Sequence, residues 1–183
     1  VTADHIGRGR FGLNIVVGWN EPEFQMSGIQ QREHGNRYEF AEDWINAIKR
    51  MWNEKEPFDF ESDYFHLKNV VAKPKLYDDS SPLIINAGQS EIGRSFALRH
   101  CHAFFTNFRE KDVKKSAEFV SKFKTAASRL NREVNVYTQG HVVCRKTKKE
   151  ATEYFHHLTT EGVDYEAIHE VLRLKGINRE NTH

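Results

Sequence analysis

Pro82–Arg94 reads PLIINAGQSEIGR, and the fold follows from this stretch. Leu83, Ile84 and Ile85 form a short apolar run behind a proline, the pattern of a buried strand. Asn86, Ala87 and Gly88 are small or turn-forming, so the backbone can bend tightly after that strand. Gln89-Ser90-Glu91 then opens a helix, with Ser90 at the N-cap. A strand, a glycine turn and an exposed helix N-terminus present free N–H groups and the positive end of a helix dipole. Such an end can cradle a phosphate. The same pattern also serves as a plain βα turn capped for stability.

Working outward, similar units recur. Phe11–Gly18 (FGLNIVVG) reads as a strand carrying one polar residue, Asn14. An amide inside an apolar strand needs a partner, either neighbouring backbone or a ligand. Trp19–Asn36 reads as a long loop bearing Trp19, Glu21, Glu23 and Phe24, and loops of this length are often functional. Arg37–Trp52 places Ala41, Trp44, Ile45, Ile48, Met51 and Trp52 at helical spacing. Arg37 and Tyr38 fall at its entrance, where the dipole does not favour a cation, which points to a polar or anionic partner.

Residues 53–81 read as an insertion holding a small hairpin, Phe58–Phe60 against Tyr64–Leu67. Further along come a helix over Ile92–His100, a strand at Ala103–Thr106 and a helix over Asp112–Leu130 with Val113, Ala117, Val120, Phe123 and Ala127 on one face. A strand over Val134–Cys144 follows. Thr147-Lys148-Lys149-Glu150 is a capping box that starts a helix stopped at Gly162, and a last helix spans Asp164–Leu174. Four strands each followed by a helix give an α/β fold with a parallel sheet. The sheet is either small and open or part of an eight-fold barrel. All 183 residues read as a single domain.

Composition excludes several classes. The net charge of +1 supplies no basic face for nucleic acid. No apolar run approaches membrane-spanning length. Two cysteines, Cys101 and Cys144, make no disulfide framework, and the reducing cytoplasm is the simplest compartment. Ten histidines include none spaced i, i+3 or i, i+4, so no metal site is expected. The glycines at 7, 9 and 12 fit a dinucleotide fingerprint but precede a strand instead of following one, and read as a flexible lead-in. Ser90, with His100 or His141 as base and Glu23 as orienter, outlines a serine hydrolase. However, Gly88–Gly93 is one residue too long for a nucleophile elbow.

Four blocks in order carry a resemblance: GRFGLNIVVGWNEPEF, NRYEFAEDWINAIKRMW, FDFESDYFHL and IINAGQSEIGRSFALRH. Together they closely resemble the bacterial luciferase-like monooxygenases, nearest to the pyrimidine and alkanesulfonate monooxygenase branches, from about Asp4 to about Tyr154. The resemblance implies the middle and C-terminal units of a (β/α)₈ barrel with an insertion, lacking the first three units and the last strand. It also implies reduced FMN supplied by a separate reductase, O₂, and a small organic substrate. By the same resemblance Asn14, Glu23, Arg37 and Tyr38 line the flavin, and Ser90 with the backbone of Gly88 and Gln89 holds its phosphate. Trp19, Asn107 and Arg145 follow strand ends and are candidates for the substrate side. A deazaflavin-dependent oxidoreductase and a non-catalytic flavin-binding relative stand as neighbouring readings. Open strand edges lead one to expect a homo-oligomer.

Overall fold

The computed structural model describes residues 1–108 and 112–174. They fall into two compact units, Val1–Gln139 and a second one from Gly140 onward, and each is described by itself.

The first unit is built on four parallel strands: β1 (Gly12–Ile15), β4 (Leu83–Asn86), β5 (Ala103–Phe105) and β6 (Asn135–Tyr137), in the order β1-β4-β5-β6. One line of register runs Asn14–Ile85–Ala103–Asn135 across all four. The order is monotonic along the chain, so right-handed crossovers place every connecting helix on the same side. Helices α3 (His34–Asn53), α4 (Glu91–His100) and α5 (Val113–Arg129) cover that side. The core there joins Ile15, Ile84, Phe104 and Val134 to Tyr38, Ala41, Ile45, Phe96, Ala97, Phe123 and Ala127. Phe104 stacks on Phe123 with ring centres 4.7 Å apart. A doubly wound sheet would reverse its strand order and carry helices on both faces. Here the order never reverses, which is the arrangement of a barrel segment.

Alternation sends Asn14, Val16, Leu83, Ile85, Phe105, Asn135 and Tyr137 to the opposite face. Among the described residues of this unit no helix covers that face: Val16 is 66% exposed, Leu83 40% and Tyr137 46%.

The insertion forms the antiparallel hairpin the sequence predicts, β2 (Phe58–Glu61) and β3 (His66–Val70), with a register shift between Phe58 and Phe60. Several local expectations need correction. The segment before β1 is not a flexible lead-in. It forms the short helix α1 (Thr2–Gly7), tied down by Asp4, which is buried and accepts the Tyr77 amide at 2.8 Å. The loop over 19–36 contains α2 (Glu21–Met26), with Pro22 in its first turn where the missing N–H costs nothing. Helix α3 begins three residues earlier than its periodicity suggests, so Arg37 and Tyr38 sit a full turn inside it. Strand β6 is three residues long instead of eleven, and Val113 and Ala117 face solvent at the start of α5. The apolar run after Tyr137 has no neighbouring strand among the described residues, and β propensity alone makes no strand.

In the second unit Thr147 and Glu150 form the predicted capping box for α6 (Lys148–His156). A π-helical turn at His157–Glu161 leads to Gly162, and α7 spans Tyr165–Leu174. No described residue of this unit is buried.

Candidate functional site

The ends of β1 and β4 bring together three stretches distant in sequence: Val16–Gly18, the first two turns of α3, and the turn 86–90. Asn86 is the pin. It is buried at the end of β4, donates its Nδ2 to the Ile15 carbonyl at 2.8 Å, and accepts the Gly88 amide on Oδ1 at 2.9 Å. One side chain thus ties β1 to β4 and bends the chain after β4.

Ser90 caps α4 as its sequence predicts, accepting the Gly93 amide on Oγ at 3.2 Å. The Gly88 and Gly93 amides are therefore already used. The groups left to face a ligand are the first-turn amides of Glu91 and Ile92, which have no intrahelical acceptor, and the Ser90 hydroxyl. That hydroxyl lies 3.4 Å from His34 Nε2, and the Ser90 side chain also acts on Tyr38, lowering its pKa against the larger effect of burial.

Tyr38 is only 7% exposed. Its hydroxyl fills the space beside Gly88 and Gly93: a Cβ on Gly93 would stand 2.6 Å from it, and one on Gly88 would collide with it. Burial raises the Tyr38 pKa, partly offset by Ser90 and the Arg37 charge. The side chain stays neutral and shapes the turn.

Arg37 donates from one terminal nitrogen to the Gly18 carbonyl at 2.7 Å, while its Nε is buried with no partner. It lines an apolar cleft of about 390 Å³ together with Asn14, Val17, Phe24, Phe40 and Trp44. Gly18 has φ 85°, and a side chain there would run into the Phe24 ring. Phe24 thereby closes one end of the cleft against bare backbone.

A second, more polar cleft lies at the ends of β4 and β5, lined by Gln89, Arg94, Thr106, Asn107, Lys115 and Phe119. Gln89 is fixed there, donating to the Ala87 and Phe105 carbonyls at 3.0 Å and accepting from Thr106 Oγ1 at 2.9 Å.

Of the residues chosen from sequence, the structure brings Arg37, Tyr38, Gly88 and Ser90 into one cluster. Asn14 lies along the first cleft, and Gln89 and Asn107 along the second. Glu23 is exposed on α2 and accepts from Asn20 at 2.9 Å, outside both clefts. Trp19 is 57% exposed. Arg145, in the second unit, packs over the Tyr154 ring at 3.6 Å and donates to the Cys144 carbonyl.

Sequence reasoning missed His34 and Asn86. Asn86 carried a signal, a polar residue closing a strand ahead of a glycine; His34 carried none, because its role depends on where α3 begins. Cys101 is buried and its thiol is pushed up to about 12 by desolvation, which leaves it unreactive. His100, imagined as a base for Ser90, instead faces Glu42 across 3.1 Å. Among the described residues no group of three or more acidic, histidine or cysteine side chains is placed to hold a metal ion. No described helix is long and apolar enough to cross a membrane.

Known proteins resemble this chain in sequence and fold. A family model described as luciferase-like monooxygenase matches residues 1–182. The pyrimidine monooxygenase RutA of Variovorax paradoxus is 30% identical over 170 residues, covering 91% of this chain and 45% of that protein. The FMNH(2)-dependent dimethylsulfone monooxygenase of Pseudomonas putida is 30% identical over 150 residues, covering 82% of this chain and 40% of that protein. The chain thus spans about half the length of the curated relatives it matches.

Among solved structures, the EDTA monooxygenase of Chelativorans sp. BNC1 superposes with a TM-score of 0.74 at 22% identity, over 83% of this chain and 41% of that one. The oxygenating component of 3,6-diketocamphane monooxygenase from Pseudomonas putida, solved with FMN, gives 0.72 at 20% identity, over 95% and 51%. Identities this low carry the fold, a partial (β/α)₈ barrel. With a family match running through almost the whole sequence, the chain belongs to the luciferase-like monooxygenases.

Proposed function

We propose that the cluster at the ends of β1 and β4 is the flavin side of an FMNH₂-dependent monooxygenase site. The reading rests chiefly on Arg37. Its Nε is buried and unpaired at the wall of an apolar cleft, and a buried donor of this kind costs stability unless something accepts from it. The chemistry of the surroundings suits FMN. An apolar cleft fits a flat ring, and a cation sits beside it. A helix N-terminus with a hydroxyl cap lies nearby for a phosphate. The Gly88 turn is so close to Tyr38 that a Cβ would spoil its shape.

In this reading Ser90 and the Glu91 and Ile92 amides hold the phosphate, with His34 beside the hydroxyl. Arg37 and Asn14 face polar atoms of the ring system, and Tyr38 sets the turn without touching the ligand. The reduced flavin, delivered by a separate reductase, supplies the electrons that let O₂ oxygenate the substrate. The protein binds, orients and keeps water away, with Phe24, Phe40 and Trp44 forming the dry wall. We assign the remaining space near the strand ends, where barrel sites form, to a small organic substrate, with Asn107 and Trp19 as its contacts.

Flavin titration tests this directly. Ser90→Ala should weaken FMN at least several-fold while changing riboflavin little, because only FMN carries the phosphate. Equal losses for both ligands, or none for either, would remove the phosphate assignment. Arg37→Met should weaken both ligands.

A further inference from the structure

Two consecutive βα units meet at the polar cleft of about 530 Å³ beyond β4 and β5, whose lining includes Arg94, Thr106, Asn107, Phe108, Lys115 and Phe119. Positive charge gathers there. Arg94 is the fourth residue of α4 and Lys115 the third of α5. Both cations stand near the positive end of a helix dipole, where an acidic side chain would be the stabilising choice. Among the described residues no acid lines the cleft. Asp112, the cap of α5, is committed to the Lys114 and Lys115 amides at 2.9 and 3.3 Å.

Arg94 is half-buried, and among the described residues neither it nor the Asn107 side chain has a hydrogen-bond or ion-pair partner. Their polar neighbours are already spent. Thr106 donates to Gln89, Gln89 donates to backbone carbonyls, and Ser116 donates to the Asp112 carbonyl. The guanidinium of Arg94 and the amide of Asn107 are therefore the unspent donors. Opposite in character is the wall beside them. Phe119 meets Phe108 edge-on with ring centres 6.0 Å apart and stacks on Phe123 of the core.

We propose that this cleft is an oxyanion subsite. A carboxylate or sulfonate pairs with Arg94 and Asn107, and the flat apolar body of the same small molecule lies against Phe108 and Phe119. The guanidinium fork suits two oxygens of one acid group. The gathered positive charge favours an anion, and the aromatic wall favours an organic one over a hydrated inorganic ion. The subsite uses none of Arg37, Tyr38 and Ser90, so it stands apart from the flavin cluster. It rests on the monooxygenase reading in one respect only: it names the substrate assigned to Asn107 as a small organic carboxylate or sulfonate.

Benzenesulfonate and its uncharged counterpart methyl phenyl sulfone test this, each titrated into the full chain and followed by the amide NMR signals of Asn107 and Ser116. The sulfonate should shift both signals and bind about tenfold more tightly than the sulfone at low salt, with the gap narrowing as salt is raised. Arg94→Gln should abolish the preference while leaving sulfone binding and the melting temperature unchanged, since Arg94 bonds to no described residue. Arg94→Lys should restore part of it. Saturating FMN and Ser90→Ala should each leave sulfonate binding as it was. Equal affinity for the two probes, a preference that survives Arg94→Gln, or displacement of the sulfonate by FMN would overturn the subsite. An Arg94-dependent preference in a chain that takes up no FMN would uphold the subsite and remove the flavin reading instead.

Discussion

Gly88 is the residue on which the candidate site turns. Its missing side chain leaves room for the Tyr38 hydroxyl, with Asn86 Oδ1 and the Gly93 Cα each near 3 Å of where a Cβ would stand. Gly88→Ala should therefore destabilise the fold by about 1–3 kcal/mol through overpacking. The urea midpoint measures the loss. Combining it with Tyr38→Phe should recover part of it, because the hydroxyl is the nearest obstacle; strict additivity of the two changes would contradict this account. Asn86→Ala acts differently. It strips a buried acceptor from Gly88 and a donor from Ile15, and should cost about 1–3 kcal/mol with no steric component. Asn86→Asp should not restore stability, since a carboxylate cannot donate to the Ile15 carbonyl.

Between elements, the packing of α3, α4 and the β4–β5 connection carries a pH dependence. His102 accepts the Ile84 amide on Nδ1 at 3.0 Å and returns its own amide to the Ile84 carbonyl at 2.8 Å. A proton on Nδ1 would break the first of these bonds. Burial lowers the pKa of His102, and the charges of Lys49 and Arg132 push the same way. Burial also lowers that of His100, where Glu42 opposes the shift while Lys49 and Arg99 add to it. A folded-state pKa below the ordinary 6.5 means the unfolded chain takes up protons first as pH falls. Stability is then complete above about pH 7 and declines as pH drops through 6.5 and below. Urea midpoints at pH 7.5 and 5.5 should show the fall, and replacing both histidines with asparagine should flatten it. A midpoint higher at pH 5.5 would reverse the assignment.

At the scale of the whole molecule, the packed core belongs to the first unit. Every residue of its main cluster precedes Gln139, and no described residue after it is buried. A chain ended after Gln139 should keep a cooperative thermal transition within a few degrees of the full chain's, followed by circular dichroism. Loss of cooperativity would show that the second unit contributes to the core. Phe104→Ala, at the centre of the Phe119–Phe123 stack, should cost about 3–5 kcal/mol in either length of chain.

The amino-acid sequence alone settled what is local or periodic. The βα units, the hairpin, the Ser90 cap and the Thr147–Glu150 capping box depend on residues within a few positions of each other, and spacing reveals them. The four ordered blocks carried the family, and with it the barrel. Tertiary structure decided whatever depends on a neighbour far along the chain. Strand β6 is cut to three residues because no strand among the described residues pairs with the rest, and the N-terminal segment is a helix because buried Asp4 has Tyr77 to bond. Ser90 meets His34 and Tyr38 instead of the histidines that follow it. Tyr38 is turned inward to fill the space that Gly88 leaves. Spacing along one segment carries no information about which distant side chain will fill its hollow, and the candidate site is made of such fillings.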